Sequence, residues 1–141
     1  MDLYAPIVKH IVHPLWTMKD GEYFHPILRA LEKSQYMPSE DLQTFQMKKL
    51  KEIMIHAYET CSYYRDIFRE QGIEPREIQT FADFRKVPLL TKESIQKNGD
   101  KMVSSLFNKE DLIAEKTGGS TGKPLHYFHD KMKRKVLKAA E

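Results

Sequence analysis

Residues 117–124 read Thr-Gly-Gly-Ser-Thr-Gly-Lys-Pro. Three of the six glycines in this chain of 141 residues fall here. They interleave with Thr117, Ser120 and Thr121 and are followed by Lys123. Each residue type suits an anion. Glycine lets backbone N–H groups turn toward phosphate and lets it come close, hydroxyls donate to phosphate oxygens, and lysine adds a mobile point charge. On composition alone the segment reads equally well as a phosphate cradle and as a flexible hairpin turn. It is not a Walker A loop. That pattern needs glycine where Thr117 stands and Ser or Thr where Pro124 stands. A Walker loop also opens a helix, whereas residues 124–128 alternate like a strand, with Leu125 and Tyr127 on one face and His126 and Phe128 on the other.

Other chemistry is sparse. Cys61 is the only cysteine, which rules out an internal disulfide and points to a reducing compartment. It falls where helical spacing calls for an apolar residue, so it is expected to be buried and inert. His10 and His13 are three apart, as are His126 and His129. Neither pair brings the cysteine or carboxylate partners of a metal site, so no metal ligand is assigned. No residue is assigned a catalytic role.

The net charge of +3 is unevenly spread. From residue 116 onward Lys116, Lys123, Lys131, Lys133, Arg134, Lys135 and Lys138 oppose only Asp130 and Glu141, which favours an anionic ligand in that region. After Asp130 the same charges suit a solvated helix face. No basic start precedes an apolar run, and no stretch approaches the roughly 20 apolar residues of a membrane span. A cytoplasmic location is expected.

The elements that must position the loop are mostly helical. Apolar pairs at Leu3-Tyr4, Ile7-Val8, Ile11-Val12 and Leu15-Trp16 form a stripe that Pro14 should distort or end. Its polar side carries only Lys9 and histidines, so docking on the rest of the protein is preferred to lying on a membrane. A short helix follows from Pro26 and breaks at Tyr36-Met37-Pro38. Ser39 reads as the N-cap of a long helix carrying Leu42, Phe45, Leu50, Ile53, Met54, Ala57, Tyr58 and Cys61. That helix bends or restarts near Cys61-Ser62, and its continuation over 63–71 stops at Gly72. Tyr58, Tyr63, Tyr64 and Phe68 suit core packing rather than base stacking. Thr80 caps a unit with Phe81, Phe84 and Val87 inward. Thr91 caps the next, with Glu93 in its first turn, and Gly99 shortens it. Residues 112–114 and 125–128 read as strands. Asp130 caps a last helix with Met132, Val136, Leu137 and Ala140 as its stripe. The fold class is α+β: a helical region over 1–110, then strand, loop, strand and helix start over 111–141. The last helix ends without glycine, proline or polar tail, and a truncated chain is expected.

The run Thr-Gly-Gly-Ser-Thr-Gly-Lys-Pro resembles the phosphate-binding signature of adenylate-forming enzymes. Tyr63-Tyr64-Arg65, Gly72-Ile73, Phe81-Ala82-Asp83-Phe84 and Val87-Pro88-Leu89-Leu90-Thr91-Lys92 resemble the N-terminal region of phenylacetate-CoA ligases. The opening part, Pro14-Leu15-Trp16 through Leu31-Glu32-Lys33-Ser34-Gln35, is similar to the CapK branch, associated with capsular polysaccharide biosynthesis. Gly118 stands where the family commonly has serine, and Ser62 where many relatives have proline. The resemblance implies an ATP- and Mg²⁺-dependent ligase that activates a carboxylic acid as its acyl-adenylate and usually passes it to coenzyme A. Thr117, Gly118, Gly119, Ser120, Thr121, Gly122 and Lys123 would hold the ATP phosphates. The adenine pocket, the ribose-binding acidic residue and the C-terminal lysine have no counterpart here. The remainder of the adenylation domain is thus missing, and the chain is expected to be inactive alone, with exposed apolar faces and weak stability.

The alternative is a small helical interaction protein whose basic tail binds nucleic acid or an anionic membrane. The basic residues are confined to one short helix and no nucleic-acid fold pattern appears, so no nucleic-acid partner is expected. A degenerate gene product without activity is a third reading.

Overall fold

The computed structural model describes residues 4–19, 24–118 and 124–140, except for the side chains of Lys9, His13 and Thr17. Two compact units partition the chain: residues 1–37 with 130–141, and residues 38–129.

In the first unit, helix α1 (Tyr4–Ile7) passes through a π-helical stretch, Val8–Val12, into α2 (His13–Lys19). Pro14 widens this helix rather than ending it. Its ring would clash with the carbonyl four residues back, and winding at five residues per bond just before it relieves the crowding. The stripe expected to dock is not covered: Ile7, Ile11, Val12, Leu15 and Trp16 are all exposed, Trp16 at 65%. Spacing shows that a face is apolar, not that anything covers it. Helix α3 (His25–Ser34) carries Pro26 in its first turn, where a missing N–H costs nothing.

The second unit is built on α4 (Ser39–Thr60). Its N-cap is Pro38, and Ser39, expected in that role, lies inside the first turn with no capping hydrogen bond. The extended backbone of Pro38 already turns its carbonyl to the Leu42 amide at 2.9 Å, while Glu40 and Asp41 complement the helix dipole. At Cys61 the backbone is extended (φ −114°, ψ 117°) and the chain restarts as α5 (Ser62–Glu70). The α4 carbonyls freed by the break are taken up. Arg65 donates from Nε to Tyr58 O at 3.1 Å and from its Nη2 to Glu59 O, and the Ser105 amide donates to Thr60 O at 2.9 Å.

Helix α5 ends in a Schellman motif. Gly72 adopts φ +63°, its N–H reaches Arg69 O at 3.1 Å, and the Ile73 N–H reaches Phe68 O at 2.8 Å. Ile73 thereby packs on the core of Met54, Phe68 and Ile78, joined by Leu50, Tyr58, Ile67 and Val87. Tyr58 stacks on Phe68 with centroids 6.2 Å apart, and burial pushes the neighbouring Tyr64 phenol up. Cys61 is buried, as its spacing required. A 3₁₀ turn at Pro75–Glu77, with Pro75 wholly buried, packs against α4.

Helix α6 (Phe81–Phe84) is one turn held by a capping box. Thr80 Oγ1 accepts from the Asp83 N–H at 3.1 Å, and Asp83 Oδ2 accepts from the Thr80 N–H at 3.1 Å. Phe81 and Phe84, expected inward, are both partly exposed, and only Val87 reaches the core. A single turn cannot aim positions 81, 84 and 87 at one surface once the chain leaves the helix at Arg85. Helix α7 (Lys92–Asn98) is capped by Thr91, whose Oγ1 accepts from Ser94 N–H at 3.1 Å. Gly99 opens the 3₁₀ turn Gly99–Met102 that replaces its last turn.

A further 3₁₀ turn, Lys109–Asp111, leads to β1 (Ile113–Lys116), which pairs antiparallel with β2 (His126–His129). Both strands lie about one residue later than the sequence suggests, because Leu112 closes the 3₁₀ turn and Leu125 meets a threonine side chain rather than a strand carbonyl. The α+β class holds.

Helix α8 (Lys131–Ala140) belongs to the first unit and packs against α3. Asp130 Oδ1 caps it by accepting from Lys133 N–H at 2.8 Å. Its buried residue is Ala139, whereas Met132, Val136, Leu137 and Ala140, the expected stripe, are exposed. Hydrophobic spacing marks the apolar positions of α8 without deciding which of them the packing against α3 covers.

Candidate functional site

The β1–β2 hairpin sets the two ends of the glycine-rich loop. Ladder partners are Ile113 with His129, Ala114 with Phe128, Glu115 with Tyr127 and Lys116 with His126. One step further, Thr117 N–H donates to Leu125 O at 2.9 Å, and Leu125 N–H donates to Thr117 Oγ1 at 3.0 Å. Thr117 therefore closes the mouth of the hairpin. Its backbone amide and one hydroxyl lone pair are used there, leaving the hydroxyl proton as its donor.

Gly118 follows, exposed, with open space where a Cβ would sit and no positive φ. Gly119, Ser120, Thr121, Gly122 and Lys123 lie outside the described residues. Lys116, exposed at the end of β1, adds a cation next to Thr117. The loop's donors are amide N–H, hydroxyl and ammonium groups, which match phosphate oxygens. No carboxylate stands in the loop, so Mg²⁺ would be held there by phosphate oxygens and water rather than by a protein cage. Among the described residues no group of three His, Cys, Asp or Glu gathers as a metal site.

The two faces of the hairpin differ. His126 and Phe128 are exposed on one. On the other, the Glu115 carboxylate accepts from Tyr127 Oη at 2.7 Å and lies 3.0 Å from His129 Nε2, whose side chain is only 7% exposed. The alternation along β2 separates His126 from His129, as the sequence indicates. The meeting of Glu115 with Tyr127 and His129 was not foreseen, because it depends on the register between strands, which no single-strand pattern contains.

A groove of about 750 Å³ lies elsewhere in the second unit. It is lined chiefly by apolar side chains such as Ile53, Ala57, Phe84, Leu89 and Leu90, with none from the hairpin. Neither Thr117 nor Gly118 lines it.

No protein-family model matches the chain. It is similar to a phenylacetate-coenzyme A ligase of Aromatoleum evansii, 28% identical over 111 residues that make up 79% of this chain and 23% of the relative. Protein CapK of Staphylococcus aureus is 32% identical over 98 residues, 68% of this chain and 21% of the relative. A phenylacetate-coenzyme A ligase of Escherichia coli (strain K12) is 31% identical over 85 residues, 60% of this chain and 20% of the relative. These matches define a ligase-like class. Within it, the chain is a distant relative of phenylacetate-coenzyme A ligases and CapK. It spans about a fifth of the length of the curated relatives it matches.

Proposed function

We propose that the chain is the N-terminal portion of an ATP-dependent, adenylate-forming ligase acting on a carboxylic acid, with coenzyme A as the usual acceptor and a role in capsular polysaccharide biosynthesis. The observation that carries this reading is the hairpin: two short antiparallel strands present Thr117 and Gly118 at their loop end, on a chain distantly related to phenylacetate-coenzyme A ligases.

In this reading the loop 117–123 grips the β- and γ-phosphates of ATP. Backbone N–H groups of Gly118, Gly119 and Gly122 and the hydroxyls of Ser120 and Thr121 donate to phosphate oxygens, and Lys123 adds charge. Thr117 contributes its remaining hydroxyl proton while holding the loop closed. Mg²⁺, when bound to the phosphates, neutralises part of their charge. The protein's share is positioning and electrostatic stabilisation, not covalent chemistry. The matched region is about a fifth of the relatives' length, so in this reading the chain by itself is expected not to complete the reaction.

Calorimetric titration with MgATP and with inorganic tripolyphosphate tests the site. Binding of both, weakened about tenfold or more by Lys123→Ala, is expected. Binding to DNA or anionic vesicles with no competition from ATP would replace this reading with that of a basic interaction module. Pyrophosphate release from MgATP and a panel of aryl and acyl acids is expected to be nil, and clear turnover would overturn the inactivity of the isolated chain.

A further inference from the structure

We propose that Glu115 is a positioning residue for the phosphate loop, acting through β2 rather than on the ligand; this rests on the phosphate-binding reading of residues 117–123. Glu115 sits two residues before Thr117. One carboxylate oxygen accepts from Tyr127 Oη at 2.7 Å, and the other lies 3.0 Å from His129 Nε2. Tyr127 is its direct cross-strand partner, and His129 is two residues further along the same face. Both contacts cross from β1 to β2, with only the Lys116–His126 pair between Glu115–Tyr127 and the Thr117–Leu125 pair that closes the loop.

The hairpin has four ladder pairs, and a two-stranded ribbon of that length is marginal alone. Side-chain ties across it therefore decide how well the separation of the loop's two ends is fixed. A loop whose amides must converge on phosphate loses affinity when its ends fluctuate, because binding must then order them.

The same contacts direct the carboxylate. A free anion two residues from a phosphate site would oppose the ligand. Bound between a phenol and an imidazole, the charge is held on the Tyr127 face of the hairpin. Two effects thus act on affinity with opposite sign, and substitution separates them. If Glu115 were only a nearby negative charge, both Glu115→Ala and Glu115→Gln would tighten phosphate binding. As a positioning residue, its removal weakens it.

The test is calorimetric titration of the chain with inorganic tripolyphosphate, with amide hydrogen exchange at Thr117 and Leu125 measured without ligand. Glu115→Ala is expected to weaken binding about tenfold, the equivalent of one or two net hydrogen bonds, and to speed both amides. Glu115→Gln, which keeps an acceptor oxygen for Tyr127, should recover most of the affinity. Tyr127→Phe, neutral in charge, should weaken binding about threefold. Tighter binding by both Glu115 variants, or unchanged exchange at Thr117 and Leu125 in Glu115→Ala, overturns the proposal. If the wild-type chain binds no tripolyphosphate, the phosphate reading fails, and faster exchange in Glu115→Ala alone then still establishes the contacts of Glu115 with Tyr127 and His129 as the hairpin's clamp.

Discussion

Asp83 accepts hydrogen bonds from the amides of Gln79 and Thr80, from the Thr80 hydroxyl at 2.8 Å and from Lys86 Nζ at 3.0 Å. The Thr80 hydroxyl first, and then Lys86, hold its carboxyl well below the ordinary value of 3.8. A carboxylate whose folded pKa is depressed adds stability that is present above its unfolded value and lost as pH falls through the folded one. The stability difference between wild type and Asp83→Asn, from urea unfolding, should therefore stay level between about pH 7 and pH 5 and shrink only below 3.8. Convergence of the two proteins near neutrality would contradict this. Gly118 offers a different single-residue test. An added Cβ meets nothing within 4 Å and the backbone needs no positive φ, so Gly118→Ala should leave the melting midpoint unchanged. In the proposed phosphate-binding reading the ligand comes close to that amide, so the same substitution should lower tripolyphosphate affinity. Equal affinity would count against contact at Gly118. Thr80, Cys61 and Thr117 were all picked out by sequence, whereas the role of Asp83 in the capping box was not. Glu115 was not, because a lone glutamate in a strand carries no signal until its cross-strand neighbours are known.

Several stretches that resemble phenylacetate-CoA ligases prove to be helix punctuation. Arg65 ties the freed carbonyls at the end of α4, Gly72-Ile73 forms the Schellman stop of α5, Thr80 and Asp83 box α6, and Thr91 caps α7. Forcing a Cβ into the left-handed region at Gly72 should cost Gly72→Ala about 1 kcal/mol in urea unfolding, although nothing crowds that position. An undiminished stability would mean that the turn rearranges freely. Arg65→Ala should cost about 1–2 kcal/mol by leaving the Tyr58 and Glu59 carbonyls unpaired. Arg65→Lys should restore little of it, since a point ammonium cannot reproduce the two-pronged contact. Full rescue by lysine would reduce Arg65 to a simple charge. These stops were legible because each is fixed by contacts within a few residues. Ser39 misled because Pro38, one residue earlier, already supplies the extended backbone of a cap.

Apolar surface is prominent among the described residues of both units. In the second, Ile53 is 59% and Leu89 93% exposed on the walls of the 750 Å³ groove, while the core rests on Met54, Phe68 and Ile78. A hydrophobic dye such as ANS should brighten on the native chain without denaturant. Ile53→Lys should dim that signal while shifting stability by less than about 0.5 kcal/mol, as for an exposed site; a large destabilisation would show Ile53 to be covered. The amino-acid sequence alone determined the order and punctuation of the helices, the alternation of β2, the burial of Cys61 and the family resemblance of the loop. All of these depend on neighbours a few residues apart or on residue identity. Tertiary structure alone decided which apolar faces are covered, that Ala139 rather than Val136 or Leu137 is buried in α8, and that Glu115 meets Tyr127 and His129 beneath the loop. Each of those outcomes turns on how separated segments are brought together, and hydrophobic periodicity marks a face without saying what it will meet.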